Sequence, residues 1–218
     1  MSEANAAWTA RWREGRTGFH QEEVNAHLSA HWEATTGATA GRVLVPLCGM
    51  SHDLVWLRDR GHHVVGFELS SLAISQFFSA LGVQPEVQTH GPFTVHRAEG
   101  IELWEGDFFA ITPDDLPTMD SWYDRAAIVA LEPHLRRRYI ETVGSLLSQS
   151  ARGLVLTFAY PQHEMDGPPF SVSESDFRAV CDGQFIVQAL DCVDLTDGNR
   201  WELTEVLKPI FGVQRTST

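Results

Sequence analysis

The sequence is short of several things, and each shortage removes a class of protein. Its three cysteines, Cys48, Cys181 and Cys192, are an odd set with no CxxC spacing. Neither a disulfide framework nor a cysteine metal site is expected from them. The stretch from Met1 to Trp8 has no charged n-region and no apolar h-region, so a signal peptide is not expected. No apolar run approaches the ~20 residues that a membrane span needs. A reducing cytoplasm is therefore the expected compartment. Positive charge is scarce as well: 16 Lys and Arg stand against 29 Asp and Glu, a net charge of −13. That balance argues against sequence-independent binding of nucleic acid or an anionic membrane and favours a small or uncharged substrate. A local basic site could still hold an anion. Internal repeats and low-complexity stretches are absent, and nothing demands assembly, so a monomer is expected.

What is present is an ordinary globular composition, 43% apolar and 21% charged over 218 residues, which fits one domain spanning 1–218. Two helices are predicted at 4–13 and 22–35, before any strand. Residues 1–40 then form an N-terminal extension, either a packing layer or a lid, on a core at 41–218. In the core, strands near 42–47, 62–67, 101–104, 121–125 and 154–160 alternate with helices at 51–60, 71–81 and 133–149. Ser51 and Ser70 are placed as caps, Gly61 as a stop and Pro133 as a first helical residue. Residues 82–92 read as loop, 93–104 as a short hairpin, and the chain closes with strands near 185–193 and 201–210. The order predicts an α/β fold: a doubly wound, Rossmann-like, mostly parallel sheet with one antiparallel strand and helices on both faces.

The turn after the first strand is also short of glycine. It reads Leu47-Cys-Gly-Met-Ser-His52 and lacks the G-x-G-x-x-G that lets a pyrophosphate pass close to the backbone. A ligand with ribose and adenine but no phosphate removes that requirement; S-adenosylmethionine is the commonest, with a generic doubly wound enzyme as the competing reading. Glu68 closes the second strand, where it can accept hydrogen bonds from ribose hydroxyls. Asp107, ending the third, can accept from an adenine amino group while Phe108 packs on the ring; the plain alternative is a solvated strand-end carboxylate. Asp124-Arg125 is a charge pair in an otherwise apolar strand, costly unless satisfied, and Arg125 could hold a cofactor carboxylate or an anionic substrate.

Five stretches in order carry a more specific likeness: Trp8 to His20, Val45-Pro-Leu-Cys-Gly49, Gly61 to Ser70, Tyr123-Asp-Arg-Ala-Ala127 and Gly167-Pro-Pro-Phe170. Together they resemble the thiopurine S-methyltransferase family in its bacterial branch. The resemblance implies a class I methyltransferase that uses S-adenosylmethionine and releases S-adenosylhomocysteine. It implies that Trp12, with Trp8, packs at the cofactor and that Leu47 lines the first turn. Glu68 would bind the ribose, and Asp107 and Phe108 the adenine edge and face. Arg125 would stand between the methionine moiety and the acceptor as the catalytic cation favouring a thiolate. Phe19, Pro169 and Phe170 would border the acceptor. Met50 stands where the family usually carries Lys.

Other features read as ordinary. Arg136-Arg-Arg138 is expected to be a solvated helix face, and His62-His63 lacks a third ligand, so no metal is expected. Cys48 is expected to be a shielded thiol, and His20 either packs at a helix boundary or touches the acceptor. Two competing readings are kept. One retains the fold and cofactor but methylates small inorganic nucleophiles such as selenium or tellurium oxyanions, thiocyanate or halide. The other is a non-catalytic cofactor-binding domain.

Overall fold

The computed structural model describes residues 3–216. Five parallel strands run through the middle of one sheet: β1 (Arg42–Val45), β2 (His63–Glu68), β5 (Ile101–Glu105), β6 (Met119–Arg125) and β7 (Leu147–Leu156). Outside them lie β3 (Glu86–His90) and β4 (Phe93–Ala98) on one side, and β8 (Phe185–Asp194) and β9 (Leu207–Arg215) on the other. The strand order is β3-β4-β5-β2-β1-β6-β7-β9-β8.

Central strands buried on both faces need apolar residues at every position. Val43-Leu44-Val45 shows how they are shared: Leu44 joins one core, and Val43 and Val45 the other. The first core contains Tyr139, Ile140 and Val143 of α5 (Pro133–Leu146) and Phe177 of α6 (Glu174–Cys181). The second contains Leu28 and Trp32 of α2 (Ala26–Thr36), Leu54 and Leu57 of α3 (Asp53–Asp59), and Ile74, Phe77 and Phe78 of α4 (Ser71–Leu81). Helices therefore cover both faces.

Two strands, not one, run against the sheet. The reversed final strand is β9, antiparallel to β7 and β8; the other is β4, antiparallel to β3 and β5. β4 belongs to the hairpin expected at 93–104, and the unexpected strand is β3, in the stretch 82–92 read as loop. All five of its residues are exposed, and Val87 is its one apolar side chain. With no buried face it carries no alternation; an edge pairing, Glu86 with Arg97 through His90 with Phe93, defines it instead. The last strand starts at Leu207 rather than 201, because residues 195–206 form an irregular connection.

Burial also separates Asp124 from Arg125. Alternation along β6 sends Asp124 towards α5, where it is fully buried and accepts from Tyr139 Oη at 2.7 Å and from the amides of Ala127 and Ile128 at 3.0 and 3.3 Å. Loss of water pushes its carboxyl up to about 6 despite these bonds. The expected solvated face of α5 is corrected too: Arg137 and Arg138 are exposed, but Arg136 is 5% exposed and gives its Nε to Leu131 O. Tyr139→Phe deletes the shortest bond to Asp124 without changing ring volume. Its expected cost is about 1–3 kcal/mol, because the buried acceptor is left a donor short. Urea unfolding measures it, and a loss below about 0.5 kcal/mol would contradict this role.

Candidate active site

The chain leaves β1 through a turn whose geometry constrains its residues. Leu47 has φ 49° and Gly49 φ 58°, and a Cβ on Gly49 would lie 3.2 Å from the Trp12 ring. Glycine is thus required both by conformation and by the close approach of Trp12. The turn is tied to the end of β2 by Cys48 N donating to Phe67 O at 2.8 Å and by Gly49 N donating to Glu68 Oε2 at 2.9 Å. The other carboxylate oxygen accepts from Ser70 N at 2.7 Å, just before α4 begins. Glu68 therefore clamps the first two strand-to-helix turns together. Burial pushes its carboxyl up to about 7, against the pull of its backbone hydrogen bonds. Cys48 behind the turn is buried, and its thiol is pushed well up, first by burial and then by Glu68, so it is a shielded thiol as expected.

The two N-terminal helices divide the roles that the sequence left open. Helix α2 is a packing layer, with Leu28 and Trp32 fully buried. Helix α1 (Glu3–Arg13) and the segment after it lie over the carboxyl ends of the strands, where ligands bind in such sheets. Trp8 and Trp12 meet Phe19 edge-on, with centroids 5.6 and 5.4 Å apart. Asn5 Nδ2 donates to Asp107 Oδ2 at 2.9 Å, Arg200 Nη2 to Gly18 O at 3.0 Å, and Arg125 Nη1 to Phe19 O at 3.3 Å.

Arg125 ends β6 on the face opposite Asp124. Its Nε bonds Asp53 Oδ2 at 3.2 Å, and its side chain is 16% exposed. Asp53, on the first turn of α3 and 1% exposed, also accepts from Tyr123 Oη at 2.9 Å and from Asn25 N at 2.8 Å. Asn25 caps α2 and accepts from His27 N at 3.0 Å. One carboxylate thus orients the cation, a buried tyrosine and the helix under the lid. Beside it the His20 and His52 rings lie 5.8 Å apart. Burial, then His52 and Arg125, lower the pKa of His20.

The loop after β7 is fixed by its own side chains. Tyr160 Oη donates to Pro169 O at 2.7 Å, Gln162 Nε2 to Met165 O at 2.7 Å, and Phe170 N to Val129 O at 2.7 Å.

The structure brings Trp8, Trp12, Leu47, Glu68, Phe19 and Arg125 to one end of the sheet. Asp107 joins them through Asn5, while its Oδ1 caps the short turn by accepting from Phe109 N at 3.0 Å. Phe108 differs from expectation: it is 4% exposed and packs into the core against Phe67 and Tyr139, at 5.1 and 5.7 Å. Asp53, Asn25 and Asn5 were not legible in the sequence. Asp53 lies within a helix pattern noticed only for its leucines, and the helix drawn from residue 22 hid Asn25 as a cap. A cavity of about 460 Å³ lined by Gly41, Arg42, His63, Glu102 and Asp120 lies at the amino ends of β1 and β2, away from this site.

The donor set suits an adenosyl ligand without phosphate. The Glu68 carboxyl takes backbone N–H groups from Gly49, Ser70 and Leu69, and its roughly four lone-pair sites keep acceptor capacity for a hydroxyl. Asp107 Oδ2 already takes an amide N–H, the kind of donor an adenine amino group presents. The Gly49 amide, which a phosphate would need, is spent on Glu68.

Solved structures share the fold at low identity. A Burkholderia thailandensis 1,6-didemethyltoxoflavin-N1-methyltransferase with S-adenosylhomocysteine has a TM-score of 0.67 at 15% identity, covering 98% of this chain and 87% of its own. A Synechocystis magnesium protoporphyrin IX methyltransferase, also with S-adenosylhomocysteine bound, has a TM-score of 0.64 at 12% identity, covering 98% and 100%. The fold is that of the S-adenosylmethionine-dependent methyltransferases. Among curated proteins, a thiopurine S-methyltransferase of Pseudomonas syringae pv. syringae is 45% identical over 180 residues, covering 83% of this chain and 82% of the relative. One of Pseudomonas fluorescens is 42% identical over 198 residues, covering 91% and 90%. A model of the family described as thiopurine S-methyltransferase matches residues 3–209, and the chain belongs to that family.

Glu68 gives a test with a defined sign. Its folded value of about 7 exceeds the ordinary 4.5, so between these values the folded protein holds a proton that the unfolded chain has lost. Stability from this group is thus greatest below about 4.5 and declines as pH rises to about 7. The unfolding free energy of the wild type minus that of Glu68→Ala should fall by up to about 3 kcal/mol across this window. A pH-independent difference would show that Glu68 titrates normally.

Proposed function

We propose that the protein transfers the methyl group of S-adenosylmethionine to the sulfur of an aromatic or heterocyclic thiol. The observation that carries this reading is the Arg125 guanidinium, held by Asp53 and by the Phe19 carbonyl under the aromatic lid. Glu68 would hold the ribose, Asp107 the adenine edge, and Trp12 and Leu47 the wall beside them. When bound, S-adenosylmethionine supplies an already activated methyl group on a sulfonium, so the transfer is an in-line displacement by the acceptor sulfur.

The protein's own work is alignment, exclusion of water and charge. Arg125 lowers the cost of an anionic sulfur, and because aryl thiols are fairly acidic a cation can replace a strong base. Asp53 keeps the guanidinium from swinging away. Trp8, Phe19, Pro169 and Phe170 offer flat apolar walls to a heteroaromatic acceptor. The three cysteines are all free, which fits a reducing cytoplasm, and no described helix is long and apolar enough to cross a membrane. A small thiol is the partner this site fits, and a monomer is sufficient for it.

Glu68→Ala is expected to weaken S-adenosylhomocysteine binding at least about tenfold, from loss of charge-assisted hydrogen bonds of about 1.5–3 kcal/mol each. Calorimetry reads this directly, and wild-type affinity would remove Glu68 from the site. Arg125→Ala should cut turnover of a thiopurine by about 10²-fold or more. Selenite and thiocyanate assayed with the same cofactor complete the test: faster methylation of either would replace the thiol reading. Cofactor binding without methyl transfer to any of these acceptors would leave a non-catalytic domain.

A further inference from the structure

Residues at the outer rim of the lid's base converge in a way that the reaction does not use. His27 and His31 lie one turn apart on α2, their rings nearly parallel at 15° with centroids 6.3 Å apart. The i,i+4 spacing puts both on one side of the helix. Asp191 faces them from β8, and the three ligand atoms lie within 4.8 Å of one another. Asp191 arrives there because the β8–β9 register shifts between Ala189 and Asp191. A bulge lets two consecutive residues share a face. Leu190 then packs over Gly212 beside Thr35 of α2, and Asp191 reaches the histidines on the same side.

We propose that His27, His31 and Asp191 bind one divalent cation of the zinc class, clamping α2 to β8. Two imidazoles and a carboxylate suit Zn²⁺, Co²⁺, Ni²⁺ or Cu²⁺ rather than Mg²⁺ or Ca²⁺, which favour all-oxygen shells. Tetrahedral zinc with Zn–N of about 2.0–2.1 Å wants donors about 3.3 Å apart. Half-exposed rings and an exposed carboxylate on staggered rotamers can close the remaining ångström or so. Asp191 Oδ1 is oriented by Cys192 N at 2.8 Å, and its Oδ2 remains for the ion. No hydrogen bond among the described residues occupies either imidazole. The adverse neighbour is Lys208, close enough to act on His27, which sets an upper limit on affinity but leaves the donors unblocked.

The clamp meets the active site through short bonds. His27 N donates to Asn25, whose own N–H donates to Asp53, which holds Arg125. A metal here stiffens α2, whose cap reaches Asp53, without touching the reacting atoms.

The test uses the full chain, purified without a histidine tag and titrated with ZnCl₂ and with CoCl₂. One equivalent of Zn²⁺ should bind by calorimetry and raise Tm, reversibly with chelator. Co²⁺ should give a visible d–d spectrum of low coordination number. His27→Ala, His31→Ala and Asp191→Asn should each weaken Zn²⁺ binding about tenfold or more, and Cys192→Ser should bind like the wild type. Variants that fold, by circular dichroism without metal, yet bind Zn²⁺ as tightly as the wild type would overturn the proposal. So would the absence of stoichiometric binding, or loss of binding with Cys192→Ser alone. None of these readouts depends on methyl transfer, so failure here leaves the proposed activity untouched.

Discussion

The carboxylate of Asp53 is the point on which the catalytic end of the molecule depends. An ionised group that is 1% exposed is tolerated only when hydrogen bonds and an opposite charge replace its water. Asp53 receives three bonds at its oxygens, from Asn25 N, Tyr123 Oη and Arg125 Nε. These come from the N-cap of α2, the interior of β6 and the end of β6. Satisfying one buried carboxylate thus joins the start of α2, the central sheet and Arg125. The Arg125 geometry follows from this arrangement, because a guanidinium restrained at Nε presents its remaining N–H groups in a fixed plane.

Glu68 and Asp124 show the same physics used differently. Both are carboxyls taken out of water near the carboxyl end of a central strand, and both are pushed upward, to about 7 and about 6. Asp124 is answered from within, by Tyr139 and two backbone amides, and serves the fold. Glu68 is answered by backbone amides alone, from Ser70, Gly49 and Leu69, which tie the turn after β1 to the start of α4. The two acids differ in what they tie together: Asp124 joins β6 to α5 through a side chain, and Glu68 joins two turns through main chain.

Much of this was legible in the sequence where residue type and element position coincide. An acid closing β2, a cation closing β6 and tryptophans one turn apart on α1 name themselves, and the missing glycines at Leu47–His52 correctly argued against a pyrophosphate. What stayed hidden depends on facing direction. Asp124 and Arg125 are sequence neighbours, yet strand alternation sends them to opposite cores. Arg136 looked like its neighbours Arg137 and Arg138, but the 3.6-residue period turned it inward. Phe108 read as an adenine wall and is core, because the turn capped by Asp107 points it at Phe67. β3 has no buried face to announce it, and Asp191 owes its direction to a bulge, which no local pattern reports.

The lid has a logic of its own. Helix α1 and the segment after it meet the strand ends through three contacts at the candidate site. Asn5 sits on Asp107, Trp12 on Gly49, and the Phe19 carbonyl on Arg125. By contrast, α2, which packs on the sheet, is locked by two fully buried side chains, Leu28 and Trp32, and by its cap on Asp53. A ligand that takes Asp107 from Asn5 while offering Trp12 a new apolar face exchanges one set of contacts for another of similar kind. Differential affinity of that sort lets occupancy of the site and position of the lid bias each other.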